Sequence, residues 1–116
     1  MNILIWYGTV ILKNMRSYTV KISRKAQYDV EDLTDFLLSV MSKEGARRYL
    51  DMMIAEIMSL SVFAGLYRPS PMVDIRRYHP KACRMVSHNK RWVYIFHIED
   101  EVVIVDRIRP EKAIAK

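Results

Sequence analysis

One cysteine, three glycines and four prolines in 116 residues leave little material for disulfides or for an irregular, turn-dominated chain. Cys83 alone cannot form an internal disulfide, which fits a reducing cytoplasm. A catalytic thiolate needs an arranged base, and nothing in the sequence shows one, so Cys83 reads as a small strand residue. His79, His88 and His97 stand nine residues apart, with no second cysteine and no paired carboxylates. Metal-ligand spacing is therefore missing, and neither a metal nor a cofactor is expected. The apolar run inside "MNILIWYGTVILKN" is too short to span a bilayer and lacks the basic lead and cleavage site of a secretory signal. No membrane partner is expected. Residues 1–16 read as an extension: an extra edge strand, a tail, or the product of an upstream start codon, with Met15 as the alternative start.

What is present is apolar and basic. Hydrophobic residues make up 51% of the chain, which argues against disorder. A chain of this length suits one domain that buries roughly two thirds of its unfolded surface. A net charge of +6 and a pI near 9.6 favour polyanionic partners such as nucleic acid or an acidic protein.

"SYTVKIS" (17–23) alternates Tyr18, Val20 and Ile22 against Thr19 and Lys21, a strand with one buried face. Ser23 then stands where a helix N-cap belongs. Ala26, Val30, Leu33, Leu37, Val40 and Met41 recur at three- and four-residue steps, giving an amphipathic helix. "KEG" reads as a tight turn before a second helix, "ARRYLDMMIAEIMSL", with Ala46, Leu50, Met53, Ile57 and Leu60 inward. The pair forms an antiparallel helical hairpin, and "FAGLYRPSP" ends it as a loop. From residue 72 the period drops to two. "MVDIRRYH", "CRMVSH", "RWVYIFHI" and "VVIVDRI" read as successive antiparallel strands with turns at "PKA", "HNK" and "EDE". The fold class is α+β, β-α-α-β-β-β(-β), a helical hairpin packed on a mostly antiparallel sheet. The domain spans 17–110, and 111–116 reads as a tail.

Strict alternation puts Val93 and Ile95 on the opposite face from Trp92, Tyr94, Phe96 and Ile98, and sets Val103 and Val105 beside Arg107 and Arg109. A second apolar face asks for cover, and with two helices available a partner chain is the expected source. Residues 76–91 contain no acid and carry Arg76, Arg77, Lys81, Arg84, Lys90 and Arg91 with His79 and His88. Interleaved with Tyr78 and Trp92, they resemble an electrostatic footprint for phosphates as much as a solvated rim.

The order of these elements, with "YTVKISRKAQYDVEDLTDFLLS", "ARRYLDMMIAEIMSL" and "CRMVSHNKRWVYIFHIEDEVVIVDRI", resembles the RelE/ParE superfamily of toxins from type II (plasmid-stabilising) toxin–antitoxin systems. The resemblance implies a small cytoplasmic toxin held inactive by a cognate antitoxin, which would cover Val93, Ile95, Val103 and Val105. It implies one of two activities. RelE-like members cleave mRNA on the ribosome without a metal, as an mRNA interferase needing a base, an acid and cations around the phosphate. ParE-like members poison DNA gyrase and are not enzymes. For the first activity Arg84, Arg91, His88 and His97 are the catalytic candidates, Arg84 matching the arginine of the family's second sheet strand. Arg76, Arg77, Lys81, Lys90, Arg107, Arg109 and Lys112 are candidates for binding phosphate or target. This chain lacks the "YR" of RelE-type enzymes on the aromatic strand and a clear "GKR" after the last strand, which leaves ParE-like action open. The alternative is a non-toxic basic module binding nucleic acid or protein.

Overall fold

Thr19–Ile22 forms β1, and it pairs not with the next strand in sequence but in parallel with the last. The computed structural model describes residues 17–114, so the expected extension 1–16 and the final two residues lie outside the described chain. After β1 the chain turns into α1 (Arg24–Val40). Ser23 caps it as the sequence suggests: its Oγ accepts the Ala26 N–H at 3.0 Å and donates to the Asp106 carbonyl at 2.9 Å. One side chain thus starts the helix and ties it to the sheet.

α2 (Lys43–Met58) begins earlier than expected. "KEG" is its first turn, because Ser42 acts as a second N-cap and accepts the Gly45 N–H at 3.0 Å. Ala26, Leu33 and Leu37 from α1 and Ala46, Met53 and Ile57 from α2 are buried against the sheet. Val40 and Met41, expected in the same stripe, are exposed, so the buried face of α1 ends at Leu37. A short helix α3 (Leu60–Phe63) and a 3-10 turn (Ala64–Leu66) continue from α2. The turn passes so close to β1 that a Cβ on Gly65 would lie 2.8 Å from the Tyr18 hydroxyl oxygen.

The segment "MVDIRRYH" is not a strand. It contains a single helical turn, α4 (Val73–Arg76), entered from Pro71 and followed by Pro80. Met72, Ile75 and Tyr78 recur every three residues and face the protein, while Val73 is 79% exposed. That period is helical, not the two-residue alternation expected of a strand. Residues 72–82 form a strap rather than a sheet strand.

Three strands follow: β2 (Cys83–Val86), β3 (Trp92–Glu99) and β4 (Val102–Pro110). The sheet order is β1-β4-β3-β2, antiparallel except for the parallel β1–β4 pair. The α+β architecture β-α-α-β-β-β therefore stands, without the strand expected at "MVDIRRYH". The β3–β4 register slips: Ile95 faces Arg107, but Phe96 faces Val105, which leaves Asp106 as an extra residue on β4. A one-residue insertion reverses the facing of everything beyond it. Val103 and Val105 accordingly join Tyr94, Phe96 and Ile108 in the core beneath the helices.

The other face carries its own small core. Val93 and Ile95 pack with Ile75 and Ala82 of the strap and with Ile114, flanked by Met72 and Tyr78. Ile114 reaches it through a 3-10 turn at Glu111–Ala113. The expected tail thus closes the sheet over its first four residues. Among the described residues, helical segment Lys43–Leu66 has the length and hydropathy of a membrane span. Its inward side chains Ala46, Met53, Ile57, Leu60 and Ala64 are committed to the sheet core.

Candidate functional site

The bulge and the strap decide which candidate residues are free to act. Val93, Ile95, Val103 and Val105 are all 0% exposed within this one chain. None can form a partner surface, which corrects the expectation of an antitoxin lying on them. Val103 and Val105 are turned inward by the bulge, and Val93 and Ile95 are covered by Ile75, Ala82 and Ile114.

His97 is also inside, at 5% exposure, with Nδ1 2.7 Å from Asp106 Oδ2 and Nε2 3.1 Å from Glu99 Oε1. Arg107 is bound too. Its Nε and Nη2 donate to the two oxygens of Asp29 at 2.8 and 2.9 Å, and Asp29 Oδ2 also accepts the Ile108 N–H at 2.9 Å. β1 covers the edge of β4 only as far as Val105, so Asp29 from α1 satisfies the edge beyond it. Hydrogen bonding to Asp29, above all, raises the Arg107 guanidinium further from its ordinary value. This arginine is a structural clasp, with charge-assisted bonds of about 1.5–3 kcal/mol each.

Arg84 is half-buried beside the strap, its Nη1 3.5 Å from Met72 Sδ. His88 is exposed on the β2–β3 turn, where its backbone N–H donates to Glu56 of α2. Arg91 is exposed on the same turn. The four catalytic candidates therefore do not converge: Arg91 and His97 stand at opposite ends of β3, roughly 20 Å apart at the rise of a strand. Among the described residues, these four candidates do not surround one phosphate as base, acid and cation.

Three cations do come together. Lys90, Arg91 and Lys112 line a cleft with Trp92, Pro110 and Glu111. Its two walls are joined where the Glu111 N–H donates to the Arg91 carbonyl at 2.9 Å. Arg109 lines a separate groove with Asp29, Asp32 and Phe36, which shares Trp92 and Pro110 with the cleft. Arg76, Arg77 and Lys81 are exposed on the strap, and Arg77 reaches Asp74 at 4.0 Å, a contact worth little at the surface.

The basic turn is held by a network that joins Trp92 and Tyr94 to Tyr49, Glu56, Ser87 and Asn89, four residues with no signal in the strand alternation. Tyr49 Oη accepts from Trp92 Nε1 at 2.8 Å and from Asn89 Nδ2 at 2.9 Å. Tyr94 Oη donates to Glu56 Oε1 at 2.7 Å, and Ser87 Oγ accepts the Trp92 N–H at 3.0 Å while donating to Asn89 Oδ1 at 2.6 Å. Burial first, and then the Glu56 carboxylate, pushes the Tyr94 phenol far above its usual range. A signal existed in the sequence. Glu56 interrupts the apolar run of α2 near its end, and a lone acid there points at a buried donor. Burial likewise pushes the Cys83 thiol up, away from nucleophilic use.

A sheet of order β1-β4-β3-β2 under an α1–α2 hairpin is the architecture of the RelE/ParE class of toxins. The family model described as "ParE toxin of type II toxin-antitoxin system, parDE" matches residues 20–114. The chain belongs to the ParE toxin family. Among solved structures, a chain of the chromosomal ParDE TA system from P. aeruginosa shares the fold at a TM-score of 0.67 and 17% identity. The alignment covers 81% of this chain and 96% of that one. No curated protein matches the sequence. As a toxin of a type II system, the protein implies a cognate antitoxin.

Proposed function

We propose that this protein arrests growth in the cytoplasm by poisoning DNA gyrase and that it does not cleave mRNA. The observation that carries this reading is the dispersal of the nuclease candidates. His97 is locked between two carboxylates inside the fold, Arg84 rests on the strap, and His88 and Arg91 sit at the far turn. A ribosome-dependent nuclease needs those groups around one phosphate. Membership of the ParE family supports the same side of the choice.

The target contact in this reading is the basic cleft of Lys90, Arg91 and Lys112 beside Trp92. Positive charge there meets DNA phosphates or acidic groups of the enzyme. The antitoxin covers the helical layer instead of the outer sheet face. Phe36 and Val40 of α1 and Ile54 and Met58 of α2 are each about half exposed or more, one helical turn apart in each pair. Such apolar pairs suit an amphipathic segment of a partner.

The test is to map mRNA 5′ ends shortly after induction in a bacterial host while growth is followed. Arrest with intact messages is expected. New ends within codons would overturn the reading in favour of an endonuclease, and unaltered growth would favour a non-toxic basic binding module.

A further inference from the structure

The strap carries His79 back over the sheet, and its imidazole lies flat on that of His97, with centroids 3.7 Å apart and planes within 4°. Around His97 the hydrogen-bonding account does not close by itself. A neutral imidazole has one N–H, yet both nitrogens face carboxylate oxygens, Nδ1 at 2.7 Å and Nε2 at 3.1 Å. With Nδ1–H donating to Asp106, the closer of the two, Nε2 presents a lone pair to Glu99 Oε1. Two acceptors hold that distance when a positive charge lies between them, supplied by a proton or by a metal ion.

We propose that His79, His97 and Glu99 form a binding site for a divalent transition-metal ion of zinc's character, with Asp106 as the positioning residue. The ligand atoms of these three residues lie within 4.8 Å of one another. The 3.1 Å from His97 Nε2 to Glu99 Oε1 is close to the roughly 3.4 Å that separates two ligands at a tetrahedral centre with bonds near 2.1 Å. A carboxylate that accepts from the other ring nitrogen of a ligating histidine is the usual support for such a ligand, and Asp106 stands in that place. Two imidazoles and one carboxylate suit zinc, cobalt or nickel rather than the all-oxygen preference of magnesium or calcium. The Glu99 side chain is 59% exposed, so the site opens to solvent and a water can complete the coordination.

The parallel stack sets one condition. A single ion cannot lie in the planes of two rings that face each other, so His79 tilts out of the stack on binding. It then releases the Lys81 N–H that its Nδ1 accepts at 3.0 Å, an exposed contact on a turn. Bound metal would fasten the strap to β3 beside the bulge and hold the small outer core of Val93 and Ile95 closed. Sequence spacing hid this set, since His79 and His97 lie far apart in the chain and meet through the strap.

The test uses cobalt(II) as an optical probe and zinc(II) in calorimetry, on the full chain freed of metal by a chelator. The expected result is saturable one-to-one cobalt binding with the intense visible absorption of a tetrahedral site, displaced by zinc. Glu99→Gln, at an exposed position, and His79→Ala, which removes only the ring stacked on His97, should each weaken it at least tenfold. Asp106→Asn should keep the stoichiometry and weaken affinity about 10–100-fold. His88→Ala, with circular dichroism confirming the fold of every variant, should leave affinity unchanged. Absence of saturable binding by the unaltered protein would overturn the proposal. So would affinity that survives in His79→Ala and Glu99→Gln, or that disappears in His88→Ala.

Discussion

Each face of the sheet carries a buried apolar cluster, but the two are closed by different means. The inner face lies under two long, capped, amphipathic helices that bury Leu33, Leu37, Met53 and Ile57 against Tyr94, Phe96, Val103 and Val105. The outer face is closed by one helical turn, a loop residue and the chain's final described residue: Ile75, Ala82 and Ile114 over Val93 and Ile95. The first is a layer and the second is a lid of separate pieces. A layer of regular helices advertises itself through periodicity, whereas a lid depends on single side chains at irregular positions. The helical side keeps large apolar groups exposed on its outward surface, and the lidded side offers cations and histidines.

The largest expected effect comes from Val105→Glu. If Val105 faced solvent, this change would be nearly silent in stability and would act on partner binding. In the core it buries an unpaired charge and should prevent folding, seen as loss of a cooperative thermal transition. Phe96→Ala on the same face should cost about 3–5 kcal/mol in chemical denaturation. Ile75→Val, trimming the lid by one methylene, should cost about 0.5–1.5 kcal/mol. A comparable loss from Ile75→Val and Phe96→Ala would erase the distinction between layer and lid. Phe36→Glu should change stability by no more than about 0.5 kcal/mol, as is usual for an exposed site. It should still abolish capture of the antitoxin in a pull-down, and retained capture would remove the helical surface from the partner account.

Alkaline pH provides a finer probe of the network that holds the basic turn. The Tyr94 phenol is raised in the folded protein by burial and by Glu56, so folding favours its protonated form. Its contribution is fully present below the unfolded tyrosine value of about 10 and declines as pH rises past it, where the unfolded chain releases a proton that the folded chain keeps. Denaturation followed from pH 8 to 11 should show this decline, and Tyr94→Phe should flatten it.

Much of the inner architecture was legible from the sequence. Ser23 capped α1 as its position implied, and Leu33, Leu37, Met53 and Ile57 faced inward as their spacing required. The three hairpin-linked strands were legible from their two-residue period. The errors have physical causes. Alternation cannot register a bulge, because Asp106 is an ordinary polar residue between apolar neighbours, and one inserted position reversed Val103 and Val105. "MVDIRRYH" fits a two-residue and a three-residue period almost equally, and the strap adopts the second. Long-range pairs left no local trace: Arg107 reads as a free cation until Asp29 is seen against it, and His97 reads as a candidate base until Asp106 and Glu99 enclose it. Of the basic candidates, Lys90, Arg91 and Lys112 were brought into one cleft by Trp92 pairing with Pro110 across β3 and β4.

The most direct test of the account is gyrase-dependent DNA cleavage in the presence of the purified protein. Accumulation of linear DNA that requires gyrase, and that falls severalfold when Lys90, Arg91 and Lys112 are replaced together by alanine, is the predicted result. A protein that arrests growth yet leaves gyrase cleavage and supercoiling unchanged at saturating concentration would contradict it.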